Sequence, residues 1–346
     1  MRRVFISGLL LTALAAAASA DNIGPQVGVI EIYGNRRVST QKIRAALGIK
    51  EGSPFPASKG NAEEKLDQIS GIVASRLQAA CCVQGKMVLY VGIEEKDSPH
   101  FEFRPEPSGE AKVPDELSRA YDEFLDTVNQ SIRLAQTSES LGNGYSLMQN
   151  SGARRRQEAF IPLVAKYLDN LHEVIRESND PDQRAMAAYV LQYGPRDARS
   201  TPKILNDLQY ALQDVDDTVR DNAMRSLTAM YVGGKTHPEQ GIKIQPTWFV
   251  ELLNSIVWSD RHNASVALVE MTEDRNAETL ALIKDRALHS VVEMAQWHDL
   301  GNALPAFILT GRLAGVDEKE IQSAWVNQDH ALFIKSALTP GKKKRR

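Results

Sequence analysis

Asp285, His289 and Glu293 recur at four-residue spacing, so on one continuous helix they would share a face. An imidazole between two carboxylates is a donor set that a divalent metal accepts. Zinc motifs normally bring two close His or Cys ligands, however, and the seven histidines are scattered with no His-Glu-x-x-His pattern. The three residues therefore read as a solvated ion-pair face. Cys81 and Cys82 are the only cysteines and are adjacent. On a strand, neighbouring side chains point to opposite faces, so bridging them would demand a distorted peptide; the expectation is one buried and one half-exposed thiol. Arg154-Arg155-Arg156 reads as a solvated helix start rather than an anion site. No serine lies in a nucleophile-elbow pattern and no glycine loop suits a phosphate. No catalytic, cofactor-binding or metal-ligating residue is expected, and the chain reads as non-enzymatic.

The elements that could position a site come next. Arg2-Arg3, the apolar run from Ile6 to Ala18 and the small-residue end Ala18-Ser19-Ala20 form a signal-peptide pattern at 1–20, with cleavage expected after Ala20; the apolar run is short for a bilayer span. The chain is thus expected in the periplasm or secreted. Without Arg2 and Arg3 the net charge moves from −3 to −5, and setting aside the five cations of the tail Lys342–Arg346 leaves a body near −10. An acidic body argues against nucleic-acid binding over a broad face. The tail at 341–346 allows weak contact with an anionic membrane.

Within 21–96, Val27, Val29, Glu31 and Tyr33 alternate with Gly28, Ile30 and Ile32 in a strand. Ser39 caps a helix through Ile43, Ala46 and Leu47 that stops at Gly48. Ser58 opens a second helix through Leu66 and Ile69. Strands Ile72 to Val83 and Lys86 to Glu94 follow, joined at Gln84-Gly85. This β-α-α-β-β order resembles the POTRA (polypeptide-transport-associated) module of outer-membrane assembly proteins. The resemblance is carried by 30–39 (IEIYGNRRVS), 47–52 (LGIKEG) and 89–95 (LYVGIEE). It implies polypeptide binding by strand addition to a sheet edge, here the strand Ile72 to Val83. No β-barrel pattern follows the module in this sequence, so an insertase or pore is not expected.

Residues 97–114, rich in proline, read as an extended linker. From 115 to 340 helix signals dominate. Leu117, Tyr121, Phe124, Leu125, Val128, Ile132 and Ala135 form a stripe, Thr137 to Arg156 reads as a long loop, and a helix opens at Pro162. A template of Asp, +4, +7 and +11 then repeats as Asp180, Arg184, Ala187, Leu191 and as Asp216, Arg220, Ala223, Leu227. It continues, without the arginine, as Asp260, Ala264, Ala267, Met271 and as Asp299, Ala303, Ala306, Thr310. Aspartate caps and suits the positive helix end, small alanines permit close helix approach, and the +11 residue fills the stack. Asp180 with Pro181 and Gln183 reads as a reciprocal cap. Over about 160–315 this pattern resembles HEAT-like repeats, including the phycobilisome-lyase type. Capping helices start at Asp317, with Glu320 as its box partner, and at Asp329.

The expected fold is an α+β N-terminal module followed by an all-α solenoid, predominantly α overall. The expected role is an envelope scaffold that binds protein partners through a sheet edge and a solenoid surface, with no cofactor. The alternatives are a phycobilisome-lyase-type enzyme acting on a chromophore, which the HEAT resemblance implies, and a structural protein tethered to the membrane surface by its tail.

Overall fold

The computed structural model describes residues 26–100, 102–142 and 144–338. The signal-peptide segment 1–20 and the basic tail 341–346 lie outside the described residues. The chain is mostly helical with a small N-terminal sheet, and it divides into two compact units: one holds 26–100 together with the helices from Phe249 onward, the other Glu102–Trp248.

The N-terminal module begins with β1 (Val27–Tyr33), α1 (Thr40–Leu47), α2 (Lys59–Asp67), β2 (Ile72–Val83) and β3 (Lys86–Glu95). Ser39 accepts from the Lys42 amide and Ser58 from the Asn61 amide, so both helices start where a hydroxyl meets the first free N–H groups. The sheet order is β1-β3-β2, with β1 parallel and β2 antiparallel to β3. Leu89, Val91 and Ile93 alternate onto one face of β3 and close over Ile43, Leu47 and Leu66 of the two helices. That core is what period-two patterning predicts for one face. Cys81 and Cys82 are joined in a disulfide across a cis peptide. The expectation of two separate thiols is therefore corrected: strand alternation, on which it rested, does not hold where the pairing of β2 with β3 is irregular between Ala80 and Val83.

The second unit starts with α3 (Asp115–Arg133), which follows Pro114. Residues 137–156 are not a long loop. They form the hairpin β4 (Glu139–Gly142) and β5 (Tyr145–Met148), and α4 (Ser151–Glu177) begins directly after it under an Asn150 cap. Gln157 accepts the Met148 amide at 2.7 Å, the Tyr193 hydroxyl donates to the Ser146 carbonyl at 2.9 Å, and Arg225 pairs with Glu139. These contacts hold the hairpin to the helices, and burial lifts Tyr189 beside them to about 12. Arg154–Arg156 do lie at a helix start, where Arg154 donates to the Met148 carbonyl and Arg156 pairs with Glu123. Pro162 lies inside α4 instead of opening a helix, and the helical angles break at Tyr167.

Helix pairs follow. α5 (Pro181–Val190) and α6 (Ser200–Ala211) pack with α4, and α7 (Asp217–Thr236) packs with α5 and α6, in the second unit, after which comes α8 (Thr247–Leu252). The first unit continues with α9 (Trp258–Met271), α10 (Ala277–Arg286), α11 (Leu288–Met294), α12 (Leu300–Leu313), α13 (Glu318–Val326) and α14 (His330–Leu338). Asp317 caps α13 by accepting from Lys319 N–H.

Candidate interaction surfaces

The repeat residues are structural. Asp180, Asp216 and Asp299 cap α5, α7 and α12. Ala187, Ala223, Ala267, Ala306, Leu191 and Leu227 are fully buried. Asp260 differs. It lies inside α9, whose cap position is Val257, and its buried carboxylate accepts from the Ser255 hydroxyl at 2.7 Å. The template in this helix therefore runs three residues earlier, as Val257, Arg261, Ala264 and Leu268. That phase restores an arginine, Arg261, to the +4 position, where the aspartate-anchored pattern places Ala264. Arg184, Arg220 and Arg261 each donate to the carbonyl six residues back, at Ser178 (2.9 Å), Asp214 (2.8 Å) and Ser255 (2.5 Å). Each so fastens its helix to the turn before it.

Arg184 also makes a two-pronged pair with Asp214, at 2.7 and 2.9 Å, where both groups are buried. Burial opposes the charge, but the Asp214 carboxylate outweighs it and raises the Arg184 pKa. Asp214 belongs to the turn before α7, so this pair joins one helix pair to the next. The capping aspartates do not supply that link.

The proline-rich stretch is bound along its length rather than spanning as a free spacer. Arg104 N–H donates to the Gln213 carbonyl at 2.8 Å and Asn179 N–H to the Gly109 carbonyl at 2.7 Å. Gly109 forms a parallel bridge with Ser178, and a Cβ there would lie 2.4 Å from the Glu177 oxygen. Val113 N–H donates to the Gln183 side chain at 2.8 Å, which diverts Gln183 from the reciprocal cap expected of it. The Arg104 guanidinium lies 3.6 Å over the Tyr210 ring, and Phe103 sits 4.0 Å beneath Arg220. Turns and helix ends here grip an extended chain through its main chain and its side chains alike.

In the other unit the second face of the sheet is also buried. Tyr33, Tyr90 and Gly92 alternate onto it and meet α9 and the turns flanking it and preceding α12. Tyr90 stacks on Trp258 at 4.9 Å and Trp258 on His262 at 5.4 Å, while Trp297 lies 5.1 Å from Tyr90 and 5.7 Å from Tyr33. The Tyr33 hydroxyl donates to the Ile256 carbonyl at 2.6 Å, and Asn302 donates to the Tyr90 hydroxyl at 2.9 Å. Buried Glu31 accepts the His298 amide at 2.5 Å. Burial raises both tyrosines far above their ordinary range.

Burial alone lowers His262 from 6.5 to about 4. Between those values the unfolded chain binds a proton that the folded chain refuses, so acid favours unfolding. Stability of this seam is expected to fall as pH drops through that window, by up to about 1.4 kcal/mol per pH unit. His262→Phe keeps the ring stack and should flatten the slope, read as urea midpoints from tryptophan fluorescence.

β2 is an edge strand whose outer rim is capped at Leu77, where Glu63 accepts the amide at 2.7 Å. Beyond that cap Ala79 and Cys82 are exposed. Asp285, His289 and Glu293 do not share a face, because the helix breaks at Ala287 between α10 and α11. Glu293 instead pairs with Arg261 and accepts the Gly34 amide. No group of three or more His, Cys, Asp or Glu among the described residues could hold a metal, and no described helix is long and apolar enough to cross a membrane.

Repeat and cap motifs do not reveal this seam; its signal in the sequence is the unbroken apolar run from Met87 to Ile93. A strand polar on one face alternates; one buried on both faces does not. No family model matches the sequence, and no curated protein matches it. Among solved structures, the designed armadillo repeat protein YIII(Dq)4CqI is similar, with a TM-score of 0.35 and 14% identity over 56% of this chain and 89% of that one.

Proposed function

We propose that the chain is a non-enzymatic scaffold of the cell envelope that binds extended segments of partner proteins, built from a POTRA-like sheet module and HEAT-like helix pairs. The observation that supports this reading most directly is the bound stretch from Phe103 to Val113. Main-chain groups at Ser178, Asn179 and Gln213, an amide side chain at Gln183 and an aromatic face at Tyr210 already hold an extended polypeptide in cis. Recognition of this kind draws affinity from the main chain and selectivity from side-chain pockets. The outer rim of β2 beyond Leu77 is the second proposed surface, since an edge strand offers unpaired main-chain groups to an added strand.

The test places a photo-crosslinking residue at Ala79 or at Val215, both exposed, in the full chain expressed in cells, followed by fractionation. The expected result is an envelope-fraction protein carrying discrete adducts to other envelope polypeptides. A cytosolic protein without adducts at either position would sink the proposal.

A further inference from the structure

Cys81 and Cys82 lie at the end of β2, beside the turn into β3, where the pairing of the two strands is irregular between Ala80 and Val83. Cys82 is exposed and Cys81 half-buried, and the two sulfurs are bonded to each other. A structural cross-link gains its effect by holding together parts of the chain that unfolding would separate, and the gain grows with the loop it closes. A bond between neighbours in sequence closes the smallest loop available to a disulfide. It joins no two elements, and its exposed half is open to attack. Both facts fit a bond meant to be made and broken better than a staple.

We propose that Cys81–Cys82 is a two-electron thiol–disulfide exchange centre, whose reaction partner is a thiol-bearing molecule that reaches the exposed end of the β2–β3 hairpin. The partner's thiolate attacks the accessible Cys82 Sγ. The sulfur–sulfur bond breaks, its electron pair leaves on Cys81 Sγ, and that sulfur takes up a proton. A second thiolate then attacks the partner's sulfur in the mixed disulfide and displaces Cys82, which is protonated in turn. The net change is one protein disulfide and two external thiols giving one protein dithiol and one external disulfide. In the reverse direction an external disulfide oxidises the dithiol, and Cys81, tethered next to the mixed disulfide, expels the external thiol without a diffusional encounter. This centre stands independently of the scaffold reading.

The experiment is intact-mass analysis of the native full chain after iodoacetamide. The expected result is no alkylation as isolated, two alkyl groups after native incubation with reduced glutathione, and return to the unreactive state with glutathione disulfide. Cys81→Ser removes the resolving thiol and should retain a glutathione adduct on Cys82 that the parent chain clears, with an unchanged circular dichroism spectrum confirming the fold. Two thiols that alkylate in the untreated protein overturn the proposal. So does a disulfide that glutathione reduces only after urea unfolds the chain. The wild-type arms decide the matter alone if the variant fails to fold.

Discussion

Asp214→Ala is expected to destabilise the unit Glu102–Trp248 by about 3–5 kcal/mol, the range for breaking a buried ion pair from one side. The substitution leaves Arg184 charged and fully buried, with its Nε and one Nη, which had donated to Asp214, left unserved. It also removes the acceptor of the Asp216 amide at 2.9 Å, at the residue that caps α7. Burial already opposes the Arg184 charge, so the loss exceeds that of any surface pair in the unit, for which about 1 kcal/mol is the upper end. Urea denaturation followed by circular dichroism measures the difference. Replacing both partners with apolar residues of similar volume, Arg184→Met with Asp214→Leu, should cost clearly less than Asp214→Ala alone, because no charge is then stranded. Equal losses would show that the pair's shape, rather than its charge, carries the effect.

Gly92→Ala should have a comparable effect in the other unit, about 3 kcal/mol, the upper end for overpacking. An added Cβ would sit 1.9 Å from the Ile256 carbonyl oxygen and 2.8 Å from the Tyr33 hydroxyl. Neither obstacle is the free end of a flexible chain. The carbonyl is main chain and accepts the Tyr33 hydroxyl, and β3 is held between β1 and β2 and cannot retreat. The sheet must then lift from α9, exposing Trp258 and Trp297, so red-shifted tryptophan emission and a lower urea midpoint are the expected readouts. Gly60→Ala is the control. It lies in α2 with nothing within 4 Å of the added carbon, and helix propensity there favours alanine by about 1 kcal/mol.

Local chemistry made part of this fold legible in the sequence. Ser39, Ser58, Asp180, Asp216 and Asp299 mark helix starts because short polar side chains serve the first free amides, and the strand bounds at 72–83 follow from the turn signals Gly71 and Gln84-Gly85 on either side. The template failed at α9 for an equally physical reason. Val257 holds the cap position and has no side chain that can cap, so a pattern anchored on aspartate slid to Asp260. Arginine spacing would have located the phase, since Arg184, Arg220 and Arg261 all reach back to the sixth preceding carbonyl. The hairpin from Glu139 to Met148 was hidden by Gly142, Asn143 and Gly144, residue types that mark a turn equally well in a loop or between short strands. The partner of Arg184 was hidden too, because Asp214 lies two residues ahead of the cap. Only tertiary packing distinguishes it from Asp216 and Asp217.

The aromatic seam sets an order of events during synthesis. Tyr33 and Tyr90 leave the ribosome well before Trp258 and Trp297, and the whole of Glu102–Trp248 must be made in between. At ordinary translation speeds the interval is roughly ten to thirty seconds. Throughout it the nascent sheet can close over α1 and α2, yet its other face has no cover and remains a target for chaperones or for a second nascent chain. The intervening unit, Glu102–Trp248, is complete in sequence before Trp258 and Trp297 are made.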